Sequence, residues 1–153
     1  MENLNNRAYS LGLYEKAMPE LSWPEKLRIA KEAGYDFVEI SIDATEEKIA
    51  RVYSSKDARK QLVDWMYEYD MPIQTLNASS LTKYALGDPD PAVRDRGIDI
   101  ASRAIGLAED LGVRVLMIPG YDVYFKPHSD ETERLFEEAI RDLSQRADRK
   151  SVV

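Results

Sequence analysis

The stretch Gly34-Tyr35-Asp36-Phe37-Val38-Glu39-Ile40-Ser41-Ile42-Asp43 decides how the chain is read. Val38, Ile40 and Ile42 fall on one side of an extended strand, and Phe37, Glu39 and Ser41 on the other, so Tyr35 to Ile42 is read as a strand. Upstream the period changes. Trp23, Leu27 and Ala30 share one helical face, with Pro24 suited to the first turn and Gly34 to the end. Before that helix, Tyr9 to Tyr14 is short and extended. Downstream, a second helix is read from about Asp57 to Tyr69, burying Ala58, Leu62, Trp65, Met66 and Tyr69. Pro72 to Ala78 is a third strand. A third helix starts near Asp88 and Pro89 and runs to about Leu111. Its stripe of Gly97, Ile100, Ala101, Ala104, Ile105 and Ala108 is small enough to lie close against a sheet, and Gly112 stops it. Val113 to Ile118 is a nearly continuous apolar run, the mark of a strand covered on both faces. A fourth helix carries Leu135, Phe136, Ala139, Ile140 and Leu143 on one side. Ser129 or Asp130 is suited to cap it, Asp130 and Glu133 having capping-box spacing.

Four strands alternating with four helices imply a parallel sheet. Two architectures satisfy the order, an open doubly wound sheet and a (β/α)₈ barrel; a barrel normally needs about 250 residues, and four units are half of one. The 153 residues suffice for one domain, and 44% hydrophobic with 32% charged is an ordinary globular mix. The net charge of -7 argues against a nucleic-acid surface, which needs a basic footprint. The absence of cysteine removes disulfides, thiolate zinc sites and a cysteine nucleophile, and it fits a cytoplasmic location. No stretch approaches the roughly 18 apolar residues of a membrane helix, and the polar start, Met1 to Asn6, has no signal-like core. Neither a phosphate-cradling glycine loop ending in Gly-Lys nor a nucleophile elbow is present.

Four segments carry a resemblance. They are Ser10-Leu11-Gly12-Leu13-Tyr14-Glu15-Lys16-Ala17-Met18-Pro19, the opening stretch Gly34 to Asp43, Leu86-Gly87-Asp88-Pro89-Asp90-Pro91-Ala92-Val93-Arg94-Asp95-Arg96-Gly97, and Gly120-Tyr121-Asp122-Val123-Tyr124. In this order and spacing they resemble the L-ribulose-5-phosphate 3-epimerase family, within the xylose-isomerase-like TIM barrels. The likeness runs from about Ser10 to Leu143. It points to the (β/α)₈ barrel, with this chain as a half barrel of four βα units. The expected division is an extended or disordered N-terminus over 1–8, the barrel half over 9–146 and an irregular tail over 147–153.

The resemblance implies a chemistry. The family interconverts L-xylulose 5-phosphate and L-ribulose 5-phosphate. A divalent metal holds two oxygens of the ketose, and two glutamates on opposite faces exchange the proton beside the carbonyl. That proton is a very weak acid, so the enediolate oxygen must be stabilised as charge develops. One group removes the proton and another returns it on the other face. The family's four metal ligands, both glutamates among them, come from later strands. No position up to Val153 takes their place, and the tail from Ala147 does not read like the family's continuation. The expectation is a chain cut short before its catalytic residues, holding no metal and inactive alone. The alternatives are a non-catalytic half-barrel module, or a fragment of a related ketose or hexulose-phosphate isomerase. The latter stays open because the family's Ser-x-His-Arg run and later Pro-Leu-Gly appear here as Ser79-Ser80-Leu81-Thr82 and Ala85-Leu86-Gly87.

Active sites of these barrels lie at the C-terminal ends of the strands. The substrate-binding candidates are therefore Tyr14, Glu15 and Lys16 after the first strand, Glu39 in the second, Ser79 after the third, and Tyr121 and Asp122 after the fourth. Tyr14 sits where the wider family places an aromatic beside the sugar. Glu39 is expected to point into the barrel, with Lys16 as partner, because an inward carboxylate is costly unless paired. Ser41, Asp43, Asn77 and Tyr124 lie at the same strand ends. His128, the one histidine, is read as an exposed loop residue. Gly87 to Pro91 lacks the ligand order of a calcium loop, and Asp88 with Pro89 is read as a helix cap. Asp130 to Glu133 reads as a solvated first turn favourable to the helix dipole. A half barrel also leaves two open sheet edges, so self-association is expected.

Overall fold

In a computed structural model that describes residues 8–152, four strands form one sheet in the order β1-β2-β3-β4: β1 (Gly12–Tyr14), β2 (Phe37–Ser41), β3 (Ile73–Asn77) and β4 (Val115–Met117). Every neighbouring pair is parallel. Helices follow each strand. They are α1 (Trp23–Glu32), a short α2 (Glu46–Ala50), α3 (Lys56–Glu68), α4 (Pro91–Leu111) and α5 (Asp130–Asp148). The expected N-terminal segment lies mostly outside the described residues.

The helix ends are set by side chains. Glu25 accepts from the Ser22 N–H at the start of α1, and Ser55 accepts from the Ala58 N–H at the start of α3. At the end of α1, Gly34 takes a left-handed φ of 80°. Its N–H reaches the Lys31 carbonyl and the Tyr35 N–H reaches that of Ala30, so two otherwise orphaned carbonyls are satisfied. One cap differs from expectation. Asp90, not Asp88, caps α4, because Pro91 occupies its first position and Asp90 accepts from the Ala92 N–H. Ser129, one of the two expected candidates, caps α5, and the box pairs it with Thr132 in place of Asp130 with Glu133, the Thr132 hydroxyl accepting from the Ser129 N–H. Helix α5 also continues to Asp148, two residues into the expected tail, and Val152 beyond it is buried in the core.

The core lies between the sheet and the helical layer. Val38, Ile40 and Ile42 of the β2 stretch meet Leu27 and Ala30 of α1 and the small-residue stripe of α4. Gly97 permits close approach, since a Cβ there would sit 2.2 Å from the Tyr84 carbonyl oxygen.

Among the described residues the helices gather on this one side of the sheet, and the other face is left less covered. The register matches Tyr14 with Glu39, Glu39 with Thr75, Thr75 with Val115 and Asn77 with Met117, so these residues share that face. Between Val38 and Glu39 the register shifts by one, placing both Gln74 and Thr75 between the buried Ile73 and Leu76. Strand β4 departs from the expected cover on both faces. Leu116 turns toward the helices, but Val115 and Met117 are 46% and 45% exposed, because no described residue covers them on this side of the sheet.

Candidate functional site

The C-terminal ends of the strands carry a connected set of polar side chains. Glu39 projects onto the open face as expected, but its partner is not Lys16. Its carboxylate accepts from the Thr75 hydroxyl at 2.8 Å and from the Asn77 amide at 3.2 Å. Parallel register explains this, because Thr75 and Asn77 are the same-face residues of the adjacent strand. Lys16 instead meets Asp43 at 3.1 Å, and that contact raises the ammonium above its ordinary value. Tyr14 stands beside Glu39, with its hydroxyl 2.9 Å from the Ser41 hydroxyl. Lys16 lies 5.9 Å from the centre of its ring. Tyr14, Glu39 and Asn77 thus form a half-buried ledge of hydroxyl, carboxylate and amide groups suited to a polyhydroxylated ligand, with the fully buried Ser41 holding the Tyr14 hydroxyl from beneath.

Glu15 departs from its reading as a substrate contact. Its side chain is 0% exposed and its carboxylate is enclosed by Lys26 at 2.5 Å, Lys48 at 3.1 Å and Arg51 at 2.5 Å. Burial would raise its pKa, but hydrogen bonds and charge from Arg51 and Lys26 outweigh it and hold the group at about 2. This cluster escaped the sequence reading. Its cations sit on α1, on α2 and in the 3₁₀ turn Arg51–Tyr53, and the last two elements are too short for periodicity to reveal. The one local signal was Thr45 followed by Glu46 and Glu47, a helix-start pattern; Thr45 does cap α2.

Asp122 is likewise occupied. It accepts from Thr132 and lies 2.9 Å from His128 Nδ1, while its backbone carbonyl accepts from the Gly87 N–H. Partial burial would raise this carboxyl, but hydrogen bonds from Thr132, the Val123 N–H and His128 hold it at about 2. Asp122 therefore joins the loop after β4 to the start of α5 and to the loop after β3. His128 is exposed, as read, and its contact with Asp122 raises its pKa. Asp88, read as a cap, is buried and pairs with Lys126 at 2.7 Å.

Tyr121 lies 2.6 Å, hydroxyl to hydroxyl, from Thr82 and stacks against Tyr124. Ser79 follows β3 in a 3₁₀ turn; its hydroxyl and that of Ser80 are buried without a hydrogen-bond partner. Leu81, in the place of the family's histidine, is 3% exposed and belongs to the core.

A divalent metal of the kind the resemblance implies needs several oxygen or nitrogen donors converging on one point. Among the described residues no three His, Asp or Glu side chains do so. Glu39 is already bonded to Thr75 and Asn77. These residues do not fit the metal by themselves, and no step is derived through one. Among the described residues no helix is long and apolar enough to cross a membrane.

Comparison with known proteins places this geometry. Residues 27–153 match the family model described as xylose isomerase-like TIM barrel. An L-ribulose-5-phosphate 3-epimerase of Escherichia coli strain SE11 is 39% identical over 143 residues, covering 93% of this chain and 50% of that protein. The chain spans about half the length of the curated relatives it matches. Among solved structures, a D-psicose 3-epimerase of Clostridium cellulolyticum H10, solved with D-tagatose, superposes with a TM-score of 0.72 at 15% identity, over 94% of this chain and 50% of that one. A 3-keto-D-glucoside 4-epimerase of E. coli gives 0.70 at 20% identity, over 94% and 54%. At such identities the structures speak for the fold alone. From the sequence match and the parallel sheet with its helical layer, the chain belongs to the xylose isomerase-like TIM barrel family.

Proposed function

We propose that this chain supplies the sugar-orienting half of a ketose-phosphate 3-epimerase that interconverts L-xylulose 5-phosphate and L-ribulose 5-phosphate. One observation carries the reading: the polar ledge of Tyr14, Glu39 and Asn77, with the buried Ser41 behind it, stands at the C-terminal edge of the sheet. In this reading Tyr14 lies against the sugar. Glu39, already accepting two hydrogen bonds, keeps lone pairs for a sugar hydroxyl, and the Asn77 carbonyl oxygen is a further acceptor. Lys16 borders the ledge beside Tyr14, and Tyr121, after β4, is assigned to the same sugar-facing end of the sheet. Glu15 and Asp122 hold the ledge's supporting loops and do not touch the sugar. The divalent metal and the two proton-exchanging glutamates come from outside the described residues. Residues 1–153 alone therefore bind the substrate weakly and do not turn it over. The cysteine-free chain suits a reducing cytoplasm.

A second reading rests on Leu81 and Thr82. The first is buried in the core and the second is bonded to Tyr121, so neither supplies the charged or imidazole donor of the family pattern. In that case the substrate is a related ketose or hexulose phosphate. One experiment separates the readings: the matching half of the E. coli SE11 relative is replaced by this chain, and the chimera is assayed with divalent metal. Formation of L-ribulose 5-phosphate from L-xylulose 5-phosphate is expected. A folded chimera that acts only on a hexulose phosphate or an unphosphorylated ketose supports the second reading, and one inactive on all three overturns both.

A further inference from the structure

A second cleft lies on the opposite side of the sheet from the polar ledge, within the helical layer. Its volume is about 300 Å³, and its lining includes Trp23 of α1, Leu62 and Trp65 of α3, the buried Ile40 of β2, and Arg51 and Arg59. Every wall comes from residues of this chain, so the cleft needs nothing from the rest of a barrel. Its size stands at the lower end of ligand pockets, which accommodates a single ring with a short substituent.

The two arginines differ in what they have left to offer. All three nitrogens of the Arg59 guanidinium are engaged, by the Ser54 hydroxyl, the Asp110 carboxylate and the Val52 carbonyl, and its charge is paired with Asp110. Arg51 uses only Nη1 among the described residues, giving it to Glu15 and to the Ser41 carbonyl. It also belongs to an unbalanced cluster. Arg51, Lys26 and Lys48 all pair with Glu15, and among the described residues no other carboxylate pairs with any of the three. Three cations about one carboxylate leave an excess of positive charge in a poorly solvated place, where electrostatic attraction for an anion is strengthened. The remaining walls are mostly apolar and include two indoles. A strongly hydrated phosphate dianion would lose too much solvation there. A carboxylate matches the planar guanidinium fork and carries one charge.

We infer that this cleft binds a small aromatic carboxylate, its ring against Trp23 and Trp65 and its carboxylate on Arg51. The Ser41 carbonyl held by Arg51 belongs to the residue whose hydroxyl meets Tyr14, so the cleft and the sugar-facing ledge are joined through one residue.

Trp23 and Trp65 are the only tryptophans in the chain, so intrinsic fluorescence reads the cleft directly. The probes are 3-phenylpropionate and its uncharged analogue 3-phenylpropanamide, titrated into the 153-residue chain. A saturable change is expected with the carboxylate, and binding at least about ten-fold weaker with the amide. Ala58 lines the same cleft and is exposed. Ala58→Leu fills the opening without altering charge and is expected to abolish both signals. Gln61→Glu, at another exposed lining position, is expected to weaken carboxylate binding about ten-fold and leave amide binding unchanged. The absence of a saturable change, equal binding of acid and amide, or responses untouched in both folded variants would overturn the inference. No sugar turnover enters the readout, so it stands or falls apart from the epimerase reading.

Discussion

Glu15 shows how one side chain can be conspicuous in the sequence and still be misread. It follows the first strand, where a substrate ligand is expected, yet its partners Lys26, Lys48 and Arg51 stand eleven to thirty-six positions away. No local pattern announces them. Glu15→Gln would leave three enclosed cations without a counter-charge, and a loss of about 3–5 kcal/mol is expected, read as a lower urea midpoint at pH 7. The pH dependence has a definite sign. The carboxyl drops from 4.5 to about 2 on folding, so its contribution is fully present above 4.5 and is lost as pH falls through about 2. That shift corresponds to about 3 kcal/mol. Wild-type stability measured between pH 5 and pH 2 is expected to fall more steeply than that of Glu15→Gln; parallel curves would show that Glu15 is not a principal acid-labile group. Asp122 contributes a second step in the same window. Glu39, in contrast, was placed correctly by alternation alone, although its partners became visible only once the register set Thr75 and Asn77 beside it.

Periodicity located every long element, because three or more turns of helix or several alternating residues repeat the signal. It missed α2, whose five residues hardly exceed one turn. It also misjudged β4, since an apolar run declares that both faces can be covered and not that both are. Within α4 two glycines look alike in sequence and differ in space. A Cβ on Gly97 would strike the Tyr84 carbonyl oxygen, whereas one on Gly106 would meet nothing within 4 Å. Alanine in a helix interior is favoured over glycine by about 1 kcal/mol. Gly106→Ala is therefore expected to raise the stability of the chain by about 0.5–1 kcal/mol. Gly97→Ala should lower it despite the same propensity gain, because backbone must shift. Thermal melts of the two variants against the parent check both signs.

At the scale of the molecule, the sheet has two edge strands, β1 and β4. Val115 and Met117 stand exposed beside the β4 edge, and such a surface favours pairing with another chain. Sedimentation of the 153-residue chain over a range of concentrations is expected to show association, and Val115→Lys with Met117→Lys to weaken it. A monomer at high micromolar concentration would refute this. The sequence reading anticipated the open edges from the number of βα units, but it did not foresee which side chains of β4 would be left bare. The strands also stand in the sheet in the order in which they are synthesised, with Gly12 beside Phe37, Glu39 beside Thr75 and Thr75 beside Val115. On the ribosome each new strand therefore meets a template already emerged from the tunnel, and the sheet grows at one border only. A pause in translation leaves the latest strand as the frontier and never opens a gap inside the sheet. Assembly of the chain can thus keep pace with its own elongation, unit by unit, without waiting for a distant partner strand.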